Sequence, residues 1–508
     1  MFTRQGLGVN PCARALASRA WPLSLVRRTV AEALAEDDIL ILARELAALL
    51  LSVGSAAAMA QDGVAPQQDV AAPETPGAAA PARVPASSLY VSLGHLGQGL
   101  LWAPQDRGQD NSGSIRTAVV LVHPFASSLG NPLCAGLAER GFITFCVDPP
   151  TTNRAFRFGG YVSQAQTMSA AIARVRLERG VQTVILAGHG EGGALAAFYQ
   201  NVSRNGAAAC QGPEKMAPCD GARLAGLLPA AGLVLVDPDL GQAFSTLAGL
   251  DPAVAVENAP TQRYPGLDMY EPRNGFDPGQ NAGRYPVAFR KAFFSAQAER
   301  FTRVNGEARK LVSAVASRER DAFSDDMPLF VAGVRTTPLW HVDPSLLVRT
   351  KRPHKLLAAD GSTPIRVLES IALPTGNPRE ATSLRTAVAF SARGFLSGHA
   401  IETTPDYDVT ADDITGVVWA SSATSAMPNL AGVTDPLLVV ANTAHYGVRP
   451  AEMIFDAAVS PDKELVGVEG ASHWLGPCNS CSGGSGRRFG DTRTRSLDYI
   501  ADWLRRRA

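Results

Sequence analysis

The stretch from 183 to 200, TVILAGHGEGGALAAFYQ, constrains the fold more than any other part of the sequence. A β-branched, apolar run from Thr183 to Ala187 meets four glycines within six positions, and an Ala- and Leu-rich helical pattern follows. An apolar run of this length predicts a buried strand, and the glycines predict a sharp turn into a helix. The chain therefore contains a strand, a tight turn and a helix in direct succession.

A glycine-rich turn between a strand and a helix has several known uses. It can cradle a phosphate or simply let the helix pack closely on the strand, and a GxGxxG dinucleotide fingerprint can be drawn from Gly188 to Gly193. That fingerprint is weak alone, and it would normally open its fold rather than follow two earlier strands. The turn also has the shape of a nucleophile elbow, GxSxG, with Gly190 at the serine's position. The elbow is the favoured interpretation.

Composition and charge exclude some classes of function. The chain has 508 residues, of which 46% are hydrophobic and 19% charged, so it can bury a large core. Lys plus Arg equals Asp plus Glu at 47 each, so no global field attracts nucleic acid or an anionic membrane. We expect a globular protein with a small-molecule ligand or substrate and no nucleic-acid partner.

The first 60 residues have the features of a signal segment. Arg27 and Arg28 precede an Ile-, Leu- and Ala-rich stretch, and Ala58-Met59-Ala60 matches a small-residue cleavage site. Residues 61–88 are rich in Ala, Pro and Gln and predict a flexible linker. We expect export to the periplasm or the cell exterior, with no membrane attachment after cleavage; the alternative is a tethered amphipathic helix.

The cysteines suit an exported chain. Of seven cysteines, Cys12 falls in the segment predicted to be removed, which leaves six, an even number. Sequence neighbours that could pair are Cys134 with Cys146, Cys210 with Cys219, and Cys478 with Cys481. Six cysteines allow many more connectivities, and the CxxC at 478–481 is alternatively a redox or metal pair.

Short apolar runs that end in Pro, Gly or Asp alternate with helical stretches along the first half of the chain. The runs occupy 117–124, 142–149, 183–188 and 232–238. Such runs are typical of strands that are buried on both faces of a parallel sheet. The predicted fold class is therefore α/β, with a doubly wound, mostly parallel sheet.

The alternation stops after Asp239 and resumes at Pro436. Between them, 285–323 and 378–397 have the pattern of charged amphipathic helices. We predict a core formed by 89–239 and 431–508, with 240–430 inserted as a helical cap over the crevice at the carboxyl edge of the sheet.

From about residue 115 to the end, the chain resembles the α/β-hydrolase superfamily, and most closely large bacterial members with a long helical cap. The matching stretches are LVHP at 121–124, GHGEGG at 188–193, LDMYEPRNG at 267–275, PLLVVANTAHYGVRP at 436–450 and GASHWL at 470–475. The resemblance implies a nucleophile, an acid and a histidine in that chain order. These positions correspond to Gly190, His445 and His473, so only the histidine keeps its usual residue type.

The resemblance also implies an oxyanion hole beside the turn. His123 follows the first long strand, where the backbone of the hole is expected, and Pro124 and Phe125 would shape that wall; the alternative is that His123 is a packing residue. Glu191 would supply the second N–H, and the alternative for its carboxylate is a cap at the helix N-terminus. His189 and Asp237 complete the predicted pocket.

The usual activity of the superfamily implies that the ancestral protein hydrolysed carboxylic esters or similar bonds. A Ser-His-acid mechanism, however, requires a hydroxyl that Gly190 lacks. We therefore expect catalysis to be altered or lost. A carboxylate such as Glu191, Asp148 or Asp237 could instead act on a water with help from His473. The same groups with His189 and His445 could hold a metal, or the pocket could belong to a pseudoenzyme that binds a ligand without turnover. We predict no cofactor and no resident metal.

Overall fold

A computed structural model describes residues 83–105, 116–124, 127–150, 161–257, 259, 261–317, 326–334, 337–376, 387–482 and 488–507. The predicted signal segment, most of the predicted linker and Phe125 lie outside these ranges.

The described residues form one large sheet and three small two-stranded sheets. The large sheet has ten strands in the order β1-β2-β4-β3-β5-β6-β15-β16-β10-β11. The strands are β1 Ala86–Ser92, β2 Gln98–Pro104, β3 Thr117–Val122, β4 Ile143–Asp148, β5 Thr183–His189, β6 Leu233–Val236, β7 Phe276–Asp277, β8 Ala282–Gly283, β9 Pro328–Ala332, β10 Arg349–Leu357, β11 Ile365–Glu369, β12 Ala387–Ser391, β13 Glu402–Val409, β14 Ile414–Val418, β15 Leu437–Asn442 and β16 Lys463–Val468.

The centre of the large sheet is parallel and buried on both faces. The strands from β4 through β3, β5, β6, β15 and β16 to β10 pair in parallel, whereas β1, β2 and β11 are antiparallel to their neighbours. Every residue of β3, β4, β6 and β15 is buried. The predicted fold class is confirmed, because continuous apolar strands remain stable only where helices cover both faces.

Helices flank the sheet on both sides. The helices are α1 Pro132–Ala138, α2 Val162–Val175, α3 Gly192–Asn205, α4 Gln242–Ala248, α5 Val287–Ala316, α6 Leu339–Val342, α7 Ala392–Gly398, α8 Ala426–Leu430, α9 Val448–Ala457 and α10 Thr492–Arg505. One face is covered by α1 and α10, whose Leu137 and Trp503 share a core with strand residues. Helices α2, α3 and α9 cover the other face, where Met168, Phe198 and Ile454 share the larger core.

The segment from 240 to 430 differs from the helical cap predicted for it. Its described residues contain the long helix α5 but also eight strands, β7 to β14, and β10 and β11 belong to the large sheet itself. Part of 378–397, predicted as a helix, is strand β12. Strand β10 was not predicted from its sequence, RTKRPHKLL. A charged, Pro-containing segment near a sheet edge lacks the apolar run of a central strand.

Three disulfides occur in the described residues, and they join the neighbouring cysteines named from the sequence. They are Cys134–Cys146, Cys210–Cys219 and Cys478–Cys481. The described ranges between 83 and 507 include no helix with the length and apolarity needed to cross a bilayer.

We expect removal of the Cys210–Cys219 bond, by Cys210→Ser with Cys219→Ser, to lower the free energy of unfolding by about 2–3 kcal/mol. The bond closes a ring across a sequence separation of 9 residues and restricts the unfolded chain. Urea denaturation measures the change. Removal of Cys478–Cys481, with a separation of 3, is the matched control and should have a smaller effect. A larger effect in the control would contradict the loop-entropy explanation.

Candidate functional site

The strand–turn–helix at Gly190 lies at the carboxyl edge of the central strands. Strand β5 ends at His189 and α3 begins at Gly192, with a φ of 56° at Gly190. The Gly190 N–H donates to the Val236 carbonyl at 3.0 Å, and its carbonyl accepts from the Gly193 N–H at 2.9 Å. The turn is thus fixed by backbone hydrogen bonds in a left-handed conformation that glycine adopts without strain.

A side chain at position 190 would face two imidazoles. A Cβ built on Gly190 would lie 2.9 Å from His473 Cε1 and 3.2 Å from His473 Nε2, with His123 Nε2 at 3.7 Å. His473 therefore stands beside the place that a nucleophile would occupy, as the resemblance implied. The loop carrying it follows β16, the last strand among the described residues.

Asp237 orients His473. The Nδ1 of His473 lies 2.6 Å from Oδ2 of Asp237, which comes directly after β6 and is completely buried. A carboxylate accepts only, so Nδ1 carries the proton and Nε2 presents its lone pair towards Gly190. Burial alone would raise the pKa of Asp237, but the neighbouring His445 and His473 outweigh it and hold the pKa well below its usual range. Asp237 is therefore an anion at neutral pH.

This arrangement corrects the expectation that the acid had been lost at His445. His445 does follow β15, but its Nδ1 lies 2.7 Å from the same Oδ2 of Asp237. The acid is supplied after β6 instead of after β15. Burial would lower the pKa of His445, whereas Asp237 and Asp239 raise it, and the net pKa is raised. One carboxylate thus lies against two imidazoles.

Asp237, His445 and His473 also meet the loose criterion for a metal site, with ligand atoms within 4.8 Å of one another. Two ligands on a metal at bond lengths of 2.0–2.2 Å are separated by about 3 Å. The Nδ1–Oδ2 distances of 2.6 Å for His473 and 2.7 Å for His445 are shorter, and they suit imidazoles that lie directly against a carboxylate, His473 through a hydrogen bond and His445 through an ion-pair contact. The side-chain positions therefore do not fit a bound metal, and no step below uses one.

His189 supports the site rather than lining it. It is completely buried; its Nδ1 lies 2.9 Å from the Asn131 amide nitrogen, and its Nε2 lies 2.7 Å from the His473 carbonyl. Because both ring nitrogens are occupied, the metal-ligand role considered for His189 is wrong. Burial, with the adjacent His473, lowers the pKa of His189 to about 3. A neutral imidazole thus ties β5 to the loop that carries His473.

The remaining predicted residues have separate positions. His123 and Pro124 are buried in the loop after β3, and burial with His473 nearby lowers the pKa of His123 to about 4. Glu191, directly before α3, makes no side-chain hydrogen bond that caps this helix, and it lines a cavity. Asp148 accepts from Ser127 Oγ at 2.5 Å and from the Ser128 N–H at 2.6 Å, so it holds this loop in place.

A cavity of about 510 Å³ opens beside Gly190. Core residues Glu191, His445 and His473 line it together with Phe244, Trp340 and His341 from the inserted segment. Asp239, from the VDPD sequence at the end of β6, also lines the cavity, whereas these aromatic residues were not expected there from the sequence.

The strand order, the glycine turn after a central strand and the histidine after the last strand define an α/β-hydrolase fold. Hence the resemblance found in the sequence holds at the level of the fold. The sequence matches no protein-family model and no curated protein.

Three solved structures illustrate the likeness to known folds. A hypothetical protein from Pseudomonas aeruginosa is 15% identical, with a TM-score of 0.35, and the match covers 83% of this chain and 94% of that one. DcsB, in complex with its substrate analogue, is 11% identical with a TM-score of 0.38 and coverages of 83% and 100%. Est1E from Butyrivibrio proteoclasticus is 10% identical with a TM-score of 0.32 and coverages of 82% and 98%. At these TM-scores, the assignment of the fold rests on the topology above.

Proposed function

We propose that this protein hydrolyses a carboxylic ester or similar bond without a covalent intermediate, using a water activated by His473. The 2.6 Å contact between Asp237 Oδ2 and His473 Nδ1 carries the proposal. It fixes the tautomer in which Nε2 accepts a proton, and Nε2 faces the place left open by Gly190. His473 is therefore oriented as a general base, although position 190 has no serine from which it could take a proton.

The proposed reaction balances without a cofactor. Nε2 of His473 takes a proton from water while the water oxygen bonds to the carbonyl carbon, and the carbonyl electron pair moves to oxygen. The N–H of Glu191, directly after the turn, holds the position of an oxyanion donor in this fold. The intermediate then expels the alcohol oxygen, which takes the proton from His473, and the products are an acid and an alcohol.

We also propose that the protein is exported. The signal-like N-terminal sequence and the three disulfides support this, since disulfides persist in oxidising compartments. N-terminal sequencing of secreted protein tests it: a mature terminus near Gln61 is the expected result, and an intact Met1 on cytoplasmic protein would contradict it.

We expect His473→Ala to lower kcat/KM for short-chain nitrophenyl esters by about 10²–10⁴-fold, because the base is removed. Wild type should show no burst of nitrophenol and no labelling by a serine-directed fluorophosphonate, because no acyl-enzyme forms at Gly190. Steady-state and rapid-mixing assays measure both.

Two results would point to a different function. Loss of wild-type activity on chelation would show metal-dependent hydrolysis and contradict the water mechanism written above. Equal, background-level turnover by wild type and His473→Ala across ester types would contradict the enzyme and leave a pseudoenzyme that only binds its ligand.

A further inference from the structure

Asp237 by itself does not keep His473 in place. Its Oδ2 lies 2.6 Å from Nδ1 of His473 and 2.7 Å from Nδ1 of His445, so two imidazoles share one oxygen. The centroids of these two rings are 4.6 Å apart. His473 lies in the loop after β16, and the next residue of that loop, Trp474, is 46% exposed. A base on such a loop needs a restraint on its main chain as well as on its ring.

A chain of three hydrogen bonds restrains the main chain of His473. The Leu133 N–H donates to Asn131 Oδ1 at 3.0 Å, which fixes the orientation of the Asn131 amide at the start of α1. The amide nitrogen, which can only donate, lies 2.9 Å from His189 Nδ1. Nδ1 of His189 therefore accepts, and the proton of this imidazole is on Nε2. That nitrogen donates to the His473 carbonyl oxygen at 2.7 Å.

Burial keeps this chain of hydrogen bonds in one direction. His189 is completely buried and Asn131 is 4% exposed, so water does not compete for their hydrogen bonds. Burial, together with the nearby His473, lowers the pKa of His189 to about 3, so this imidazole stays neutral at physiological pH. The ring of His189 also stacks on that of His473, with centroids 4.5 Å apart and planes at 26°. His189 thus contacts both the main chain and the ring of the base.

Other hydrogen bonds hold the same loop at neighbouring residues. Asn442 Nδ2 donates to the Ser472 carbonyl at 2.9 Å and lies 3.4 Å from the His473 carbonyl. The Ser472 N–H donates to the Gly476 carbonyl at 2.8 Å. Of the two side chains that reach the His473 carbonyl in the described residues, His189 is therefore the closer one.

We propose that Asn131 and His189 are positioning residues for the base. By donating from Nε2 to the carbonyl of His473, His189 keeps Nδ1 of His473 on Asp237 and Nε2 at the turn of Gly190. The pair ties the loop after β16 to the end of β5, a strand in the buried centre of the sheet, and to the start of α1. Its effect on turnover rests on the proposed function, whereas the arrangement of His473 that it fixes belongs to the resting protein.

His189→Gln and His189→Met form a matched pair. The two new side chains have similar length, but only glutamine has an N–H that can donate to the carbonyl of His473. We expect His189→Met to lower kcat for a nitrophenyl ester by about 10- to 100-fold with KM within about twofold, because a displaced base slows the chemical step and not substrate binding. His189→Gln should keep kcat within about threefold of wild type, because the donor is restored. Steady-state kinetics of the full chain measures both constants.

A spectroscopic signature tests the positioning without turnover. A proton shared between a histidine nitrogen and a carboxylate oxygen at 2.6 Å gives a proton NMR resonance well downfield of the amide protons. Loss of this resonance in His473→Ala assigns it to His473. We expect wild type and His189→Gln to show the resonance, and His189→Met to lose it through exchange with water as His473 leaves Asp237.

Two further variants complete the test. Asn131→Ser keeps an oxygen that can cap α1 but has no amide to donate to His189, so kcat and the resonance should fall in the same direction. His354→Met controls for a loss of stability alone, because His354 is also largely buried but contacts Glu452, at 2.8 Å, and Phe455. It should keep wild-type kcat and resonance. If His189→Met does not fold by circular dichroism, Asn131→Ser takes its place.

The outcomes separate this inference from the proposed function. Unchanged kcat and resonance in His189→Met and Asn131→Ser would overturn the positioning role, even if wild type is an active ester hydrolase. Equal losses in His189→Gln and His189→Met would also overturn it, because the hydrogen bond to the His473 carbonyl would then not be the cause. If wild type hydrolyses no ester, the proposed function is wrong, and the resonance alone decides: its loss in His189→Met with retention in His189→Gln supports the positioning role.

Discussion

Asp237→Asn is expected to lower kcat/KM for an activated ester by about 10³–10⁴-fold. The carboxylate accepts the Nδ1 proton of His473 at 2.6 Å, and an amide that presents its nitrogen there would favour the opposite tautomer, with the proton on the reacting Nε2. Asparagine is suited to the test because it tolerates the φ of 48° at this position. Steady-state kinetics of the purified variant measures the loss.

The stability of the same variant serves as its control. Since the folded-state pKa of Asp237 is depressed, the carboxylate stabilises the fold above its unfolded pKa of about 3.9, and this stabilisation is lost as the pH falls towards the folded pKa. His445, with a raised pKa, stabilises below about 6.5 and loses its contribution as the pH rises through its folded pKa. Urea denaturation between pH 3 and pH 8 measures the free energy of unfolding. In Asp237→Asn this free energy should change less with pH than in wild type, in both the Asp237 and the His445 ranges. A variant that keeps wild-type activity and pH dependence would contradict the assigned role of Asp237.

Gly190→Ser is expected to create a reactive serine hydrolase site where wild type has none. The retained Asp237–His473 pair supplies the base, and the new hydroxyl would stand next to His473 Nε2. We expect stoichiometric fluorophosphonate labelling at position 190 and a burst of one equivalent of nitrophenol. Mass spectrometry of the labelled peptide and rapid mixing detect these changes. The steady-state rate should exceed that of the control below by about 100-fold or more.

Two structural effects limit this gain. The φ of 56° strains any residue with a Cβ by about 1–3 kcal/mol, and the new Cβ would lie 2.9 Å from His473 Cε1, so the ring must shift by a few tenths of an ångström. Gly190→Ala has the same strain and contact without the hydroxyl and is therefore the matched control. A folded Gly190→Ser protein that is no more reactive than Gly190→Ala would show that His473 does not act as a base at this turn.

The sequence determined the elements whose signals are local. Strands β3, β4, β5, β6 and β15 are apolar along their length because both faces of each are covered, so each could be recognised from a short window. Four closely spaced glycines predicted the turn at Gly190. The absence of a hydroxyl there follows directly from the identity of residue 190 as glycine. Strand β10, which lies next to the edge strand β11, was missed because its charged residues carry no such local signal.

Only the tertiary structure decided which groups meet. Asp237 and His473 are 236 residues apart, and their contact depends on β6, β15 and β16 being neighbours in the sheet. From the sequence, the chain order of the resemblance pointed to His445 as the acid's position. Folding instead brings the loops after β15 and β16 to a carboxylate in the loop after β6, because the carboxyl ends of adjacent parallel strands open at the same edge. Local patterns fix where strands begin and end, whereas the strand order fixes which side chains share a site.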